Sequence, residues 1–371
     1  MAASWRELRR ADTSADAISA VNSPGTATVG AVGQTGDSGL RSVGNLGPGP
    51  DRSGFTASFC DGPVRVQDCE HSGSTTVPCA PYPAEGHATV ARARDCTDVS
   101  FSRSLLIGSA SGGGYYGTSQ PYGPGGPGLD VQSSRVAVDR LVARGGFAFS
   151  CPDGSHGGDG AVVSAGSEFF AHQSTFTVGN GGSNSTPPFG YGGNGLTLRA
   201  TCPTPTLART LVCTLTSGQR GFGNCSLFCG GLDFNESPGL ALQAGACATR
   251  EVLTGTAPSL ECAAVVREGL PLALLVTRAP GDRVWVRIAR ATGLEWDPLR
   301  NGVRLVEGGL GRWMLVAELG ASGQATSPWP TPLLPVGEQA RVFHMQVQAE
   351  RPNGSLLLGS ARSVVIVDSA F

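Results

Sequence analysis

Hydrophobic and polar residues alternate in short runs along most of the chain, and one run recurs. Leu129 and Val131 alternate with Asp130 and Gln132. After Ser133-Ser134-Arg135, Val136 and Val138 alternate with Ala137 and Asp139, and Leu141 and Gly145-Gly146 follow. Period-two alternation puts Leu129, Val131, Val136, Val138 and Leu141 on one face of successive strands. A Gly after a turn residue opens the unit again and again, at Gly86, Gly128, Gly160, Gly195 and Gly239, with intervals of 42, 32, 35 and 44 residues. A supersecondary unit repeated with variable insertions marks a solenoid. Because the unit here is β, the pattern predicts a parallel β-helix whose lumen holds Val64, Val66, Leu129, Val131, Val136, Val138, Leu196, Leu198, Leu240 and Leu242.

Aligning the repeats matches Val64–Cys69 with Ala91–Cys96, which stacks Asp68 with Asp95 and Cys69 with Cys96. Stacked coils repeat at the strand spacing of about 4.8 Å, so five or six coils make a rod of roughly 25–30 Å. The insertions Ser109–Gly126 and Gly179–Gly193 both end at the opening Gly and should leave one edge of the rod. Residues 1–53 read as a degenerate, truncated coil with a short helix at 3–20, residues 54–266 as the β-helix, and 267–371 as a β-sandwich. The last assignment rests on strand runs at 270–276, 283–289, 303–306, 312–319, 340–349, 355–358 and 363–367. Pro352-Asn353-Gly354 turns a hairpin, and Pro328–Pro335 reads as a loop. A β-helix end is an open sheet edge, so capping it is the expected role of this domain.

Composition narrows the function. Net charge is −2, Lys is absent and all 27 basic residues are Arg without a basic block. Nucleic acid needs a clustered cationic footprint and is set aside as a partner. No apolar run reaches the ~18 residues of a membrane span. The first ten residues lack the hydrophobic core of a signal peptide. Eleven Cys with few charges nevertheless point to an extracellular or cell-surface setting. The two are reconciled if Met1 is not the natural start or the chain is part of a longer secreted protein.

Candidate chemistry is sparse. Asp153, His156 and Asp159 in Asp153–Gly160 offer two carboxylates and an imidazole, but Gly157-Gly158-Asp159-Gly160 matches Gly192-Gly193-Asn194-Gly195 and Gly125-Gly126-Pro127-Gly128. Asp, Asn and Pro interchange there because each suits a turn. The aspartates Asp61, Asp68, Asp95, Asp98, Asp130, Asp139, Asp153 and Asp159 stack at most in twos, short of the six to eight oxygens calcium takes. Cys225–Cys229 lacks the second ligand pair of a zinc site, so loop disulfides are expected across 202–229, with Cys202 and Cys213 as another close pair. Tyr115, Tyr116, Tyr122, Phe189 and Tyr191 in the loops suit either self-packing or stacking on sugar rings. No catalytic, cofactor-binding or metal-ligating residue is assigned.

The Gly-Leu-x-Val, Ser-x-Val-x-Val, Gly-Gly coil resembles the right-handed parallel β-helix of the pectate-lyase-like superfamily. The ending Val364–Phe371, a strand followed by Asp-x-Ala-Phe, is similar to C-terminal all-β domains on secreted proteins of planctomycete-type bacteria. The resemblance implies an all-β protein, a right-handed parallel β-helix followed by a small β-sandwich. It leaves two functions: a non-catalytic surface scaffold that meets polysaccharide or other surface proteins, or a carbohydrate-active lyase or hydrolase. The enzymes use paired Asp and a His-Gly with a later Arg-x-Lys, or an Asp-held calcium with a Lys or Arg base. Without Lys, the Arg-x-Lys pattern is missing. The scaffold is therefore the favoured expectation.

Overall fold

The computed structural model describes residues 55–60, 64–72, 89–110, 125–148, 156–181, 191–200, 205–211, 213–218, 239–253, 257–309 and 313–370, with three further strands near the N-terminus. Three parallel sheets run along the first part of the chain. The first stacks Ser19–Val21, Phe55–Ser58, Ala91–Arg94, Leu129–Gln132, Ala161–Ser164, Leu196–Leu198 and Leu242–Ala244. The second stacks Ala27–Gly30, Val64–Gln67, Val99–Ser102, Arg135–Asp139, Glu168–His172, Thr206–Leu211 and Ala248–Leu253. The third holds Leu40–Val43, Cys69–Ser72, Leu105–Ile107, Val142–Arg144, Thr175–Thr177 and Thr214–Leu215. Each pass through the three sheets is one coil, so the described strands form a parallel β-helix of six full coils and a seventh with strands in the first two sheets only. The segment 19–43 forms the first of them.

Burial follows the alternation. Val64, Val66, Leu129, Val131, Val136, Val138, Leu196 and Leu198 join Phe55, Phe101, Phe169 and Phe176 in one core inside the coils. Two of the expected lumen residues behave otherwise. Leu242 is only partly buried against that core, and Leu240 is 53% exposed. The last coil is registered two residues from the expected alignment, pairing Leu196 with Leu242. The reason is Gly239. A Cβ there would lie 1.9 Å from Gly193 O, so Gly239 stacks in the Gly193 tier, and Ala241 takes the place below Leu242 that Gly195 holds below Leu196. At the other end of the series the place equivalent to Gly128 is held by Val90, and Gly86 lies outside the described residues.

Two of the three corners share one construction. Between the first and second sheets, Phe59, Asp95, Ser133 and Ala165 adopt left-handed φ of 53°, 51°, 47° and 54°. Between the second and third, Asp68, Arg103, Arg140 and Gln173 do the same at 55°, 46°, 51° and 47°. A small polar side chain then turns inward. Ser134 Oγ donates to Gln132 O at 2.7 Å and accepts from Cys96 N–H at 3.0 Å. Cys60, Cys69, Cys96 and Cys213 occupy the same kind of place, their thiols donating to the carbonyl two residues back at 3.2–3.5 Å. The expected match of Cys69 with Cys96 is therefore corrected. Strand pairing puts Phe55 beside Ala91 and Val64 beside Val99, so Cys60 stacks on Cys96, while Cys69 faces Ser104 at the other corner. Asp68 and Asp95 likewise sit at different corners and do not stack.

The third corner is glycine. Here each coil leaves the third sheet, passes through an insertion and returns to the first. Outgoing and returning legs interleave: Gly126 N–H donates to Ser109 O, Gly146 to Gly126, Gly158 to Gly146, Gly179 to Gly158 and Gly193 to Gly179, all at 2.8–3.0 Å. A Cβ at Gly146 would sit 1.7 Å from Ser109 O, which only glycine avoids. In the sequence, residues of this corner flank the insertions 111–124, 149–155, 182–190 and 219–238, which lie outside the described residues.

After the coils the chain forms a β-sandwich. One sheet joins Ser259–Glu261, Pro271–Thr277 and Gln324–Pro330. The other joins Val265–Arg267, Leu356–Val367, Ala340–Glu350, Arg283–Asp297 and Gly302–Gly309, with Met314–Glu318 also on Arg283–Asp297. Leu260, Leu272, Leu274 and Val276 pack against Val284, Val286, Phe343, Met345, Val347, Val364 and Ile366. Strands 259–261 and 265–267, which begin before residue 267, pair within this unit. Part of the expected Pro-rich loop is the strand Gln324–Pro330, tolerated because it is an edge where Pro withholds no inner ladder bond. Arg351–Ser355 closes the hairpin around Pro352-Asn353-Gly354, with Gly354 at φ 79°.

The sandwich lies along the second sheet, rather than over an end of the rod as expected for a cap. Ala137 and Phe170 pack with Leu294, Trp296, Val303 and Leu305, and Leu211 with Ala257 and Leu357. The corner residues with left-handed φ supply much of the seam. Arg140 binds Glu261 Oε1 at 2.7 Å and Leu260 O at 3.1 Å, and Gln173 Nε2 donates to Ala257 O at 3.3 Å.

Candidate functional site

The cluster that the sequence singled out is bound into turns. His156 Nδ1 accepts from Tyr191 N–H at 2.8 Å, and the two rings stack at 4.9 Å. Asp159 Oδ1 accepts from Asn194 N–H at 2.6 Å, and Oδ2 from Thr197 Oγ1 at 2.9 Å. Asp153 lies outside the described residues, as do Asp61, His87 and the other loop aromatics Tyr115, Tyr116, Tyr122 and Phe189.

Three of the remaining aspartates pair with a cation in the same or the adjoining coil. Asp98 binds Arg65 at 2.6 Å, Asp130 binds Arg92 at 3.3 Å and Asp95 meets Arg94 at 3.3 Å. Burial pushes the Asp130 carboxyl above its usual range, against the pull of Arg92. Asp130 belongs to the outer side of the first sheet, where Gln132, Ser164, Thr197, Arg199 and Gln243 line a groove of about 530 Å³. Among the described residues no group of three or more His, Cys, Asp or Glu is arranged to hold a metal.

The polar constellation that sequence reasoning missed lies in the seam between rod and sandwich. Asp139 and His172 are partners on adjoining coils of the second sheet, and His172 Nδ1 is 2.5 Å from Asp139 Oδ1. Asp139 is buried, which by itself would raise its pKa; the His172 hydrogen bond and charge, with Arg140, hold it below the usual carboxylate value. Arg362, from the sandwich, is fully buried beside Asp68. Asp68 is bridged more closely by Arg103. Phe170 stacks on Trp296 at 6.1 Å and Arg209 lies 4.6 Å over the Trp296 ring. Arg362, Asp139, His172, Phe170, Trp296 and Thr292 all line one cavity of about 70 Å³. The sequence carries no local signal for this site, because its members are spread from residue 68 to residue 362.

The cysteines play a structural part. Cys69, Cys96, Cys213 and Cys262 are free thiols. Cys213, within the 202–229 region where loop disulfides are expected, is no part of one and stands in a corner ladder. Cys225 and Cys229 lie outside the described residues. Burial pushes the Cys69 and Cys96 thiols up to about 12, which suits packing and removes thiolate chemistry.

These features define the class, a parallel β-helix with a β-sandwich along one flank. No protein-family model matches the chain, and no curated protein matches it. Among solved structures it is similar to a candidate superoxide reductase from Thermotoga maritima, at 14% identity over 30% of this chain and 85% of that one, with a TM-score of 0.18.

Proposed function

We propose that this protein is a non-catalytic scaffold of the cell surface or extracellular space, a pectate-lyase-like right-handed β-helix that presents contact loops to polysaccharide or to other surface proteins. The observation that carries the reading is the glycine spine, whose residues flank the insertions 111–124, 149–155, 182–190 and 219–238 in the sequence and stack in register at one corner of the coils. Loops set on a rigid repeat scaffold are a common binding surface. Tyr191, next to 182–190 in the sequence, is 40% exposed and offers a ring for sugar stacking. The ionisable groups of this corner support the same reading, because His156 and Asp159 already serve neighbouring backbone.

The test is to replace 111–124 and 182–190 by short Gly-Ser linkers and measure retention on immobilised polysaccharides and on whole cell envelopes. Retention by the parent chain, lost in the variant with an unchanged circular dichroism spectrum, is the expected result. Equal retention by both removes the proposal.

A second reading, a carbohydrate-active lyase or hydrolase, rests on the Asp139–His172 pair from adjoining coils. It predicts turnover of uronic-acid polysaccharides, seen as unsaturated products or new reducing ends. Turnover that disappears in His172→Gln, or in Asp153, His156 or Asp159 variants, would replace the scaffold by the enzyme.

A further inference from the structure

Arg362 is a buried cation without a hydrogen-bonded anion. Its side chain has 0% exposure. Nη2 reaches only Cys262 O, at 3.4 Å, and Nη1 stands 3.6 Å from Asp68 Oδ2, beyond good hydrogen-bond range. Nε and Nη1 have no hydrogen-bond partner at all. The carboxylates that might serve it are otherwise engaged, Asp68 with Arg103, and Asp139 with Arg140 and His172. Arg103 and Arg140 add positive charge around Arg362, and burial lowers its pKa further.

The cavity that Arg362 lines also exposes His172 Nε2, another buried nitrogen without a partner. Its Nδ1 faces Asp139 Oδ1 at 2.5 Å, which leaves Nε2 as the ring nitrogen free to meet an occupant of the cavity. Gln67, Ser360 and Ser363 line the same space. The space of about 70 Å³ admits a handful of water-sized groups at roughly 10–15 Å³ each.

We propose that this seam cavity is a binding site for a small monocarboxylate, of formate to acetate size, held on Arg362 and closed by the C-terminal sandwich. Unpartnered guanidinium N–H groups match carboxylate oxygens. The single charge follows from the neighbours, because the guanidinium groups of Arg362, Arg103 and Arg140 exceed the carboxylates of Asp68 and Asp139 by one positive charge. Size follows from the cavity. The site uses residues from both the rod and the sandwich, so its occupant would fasten one to the other. It is independent of the loop edge on which the scaffold reading rests, and shares Asp139 and His172 with the enzyme reading.

The experiment titrates the full chain with sodium formate, acetate, phosphate and chloride at constant ionic strength. Thermal unfolding is followed together with the Nε–H correlation of Arg362 by nuclear magnetic resonance. Formate or acetate should give a saturable rise in Tm, on the order of 2–4 °C near saturation, and should move the Arg362 resonance. Chloride and phosphate should do neither, and Arg362→Gln should abolish the rise. The wild-type resonance decides the matter even if that variant fails to fold. An equal effect of chloride, a rise that persists in Arg362→Gln, or an Arg362 Nε–H that does not move would overturn the proposal and leave the cavity to water.

Discussion

The rod and the sandwich place their ion pairs at different distances along the chain. In the rod, opposite charges meet across adjoining coils: Arg65 with Asp98, Arg92 with Asp130, Arg135 with Glu168 and Arg209 with Glu251, at separations of 33–42 residues. In the sandwich most are local, as in Arg278–Asp282, Arg300–Asp297 and Arg341–Glu338. Stacking is the cause. In an in-register coil the neighbour of each side chain is its own counterpart one turn away, so like charges would repel along the whole ladder and opposite charges hold it in register. In the antiparallel sandwich, turns bring partners together within a few residues. A rod pair therefore reports on coil register, and a sandwich pair on a single turn.

The largest test of this contrast strikes the rod interior. Val131→Asp places a carboxylate between the lumen residues Ala93 and Val163, where nothing can pair with it. A loss of several kcal/mol is expected, enough to abolish the cooperative transition of the coils in urea. A stability within ~1 kcal/mol of the parent would mean that the lumen is wet. Next comes Arg65→Ala, which leaves Asp98 buried without its partner and should cost about 3–5 kcal/mol in chemical denaturation. The sandwich counterpart, Arg283→Ala, breaks a largely exposed pair with Glu318 and should change stability by about 0–1 kcal/mol. Similar values for the two would remove the distinction between the regions.

A third test is electrostatic. Burial, assisted by Arg65, lowers the His344 pKa from 6.5 to about 4. The ring is neutral in the fold and takes up a proton more readily when unfolded. Its contribution is therefore complete above pH ~6.5 and is lost as pH falls toward about 4. The slope amounts to about 3 kcal/mol over that window. His344→Gln, which retains a partner for Ser363, should flatten the pH profile of unfolding between those limits; an unchanged slope would assign the dependence to other groups.

The smallest expected effect is Cys96→Ser. Serine already fills the same corner at Ser134 and makes the same bond to the carbonyl two residues back, so the change should stay within about 1 kcal/mol. Cys96→Val removes that bond and should be the worse of the two by thermal unfolding. Intact-mass analysis with and without reductant checks the disulfides expected across 202–229. Free thiols throughout would exclude them.

Strand and face were legible in the sequence because side-chain alternation is a local property of an extended backbone. That is why Leu129, Val131, Val136 and Val138 could be assigned to the lumen, and Pro352-Asn353-Gly354 to a turn, without any knowledge of neighbours. Stacking was not legible. The left-handed corners accept Phe59, Asp95, Ser133, Ala165, Asp68, Arg103, Arg140 and Gln173 alike, so no residue type marks them, and Cys69 could be matched to the wrong corner. Gly239 reads like an opening glycine until its contact with Gly193 shows which tier it occupies. The Asp139–His172 pair, the burial of Arg362 and the position of the sandwich on the flank depend on register between segments separated by variable insertions. Local sterics determine which residues turn inward. The partners of those residues, and hence the site in the seam, are decided only when the coils have stacked and the sandwich has docked.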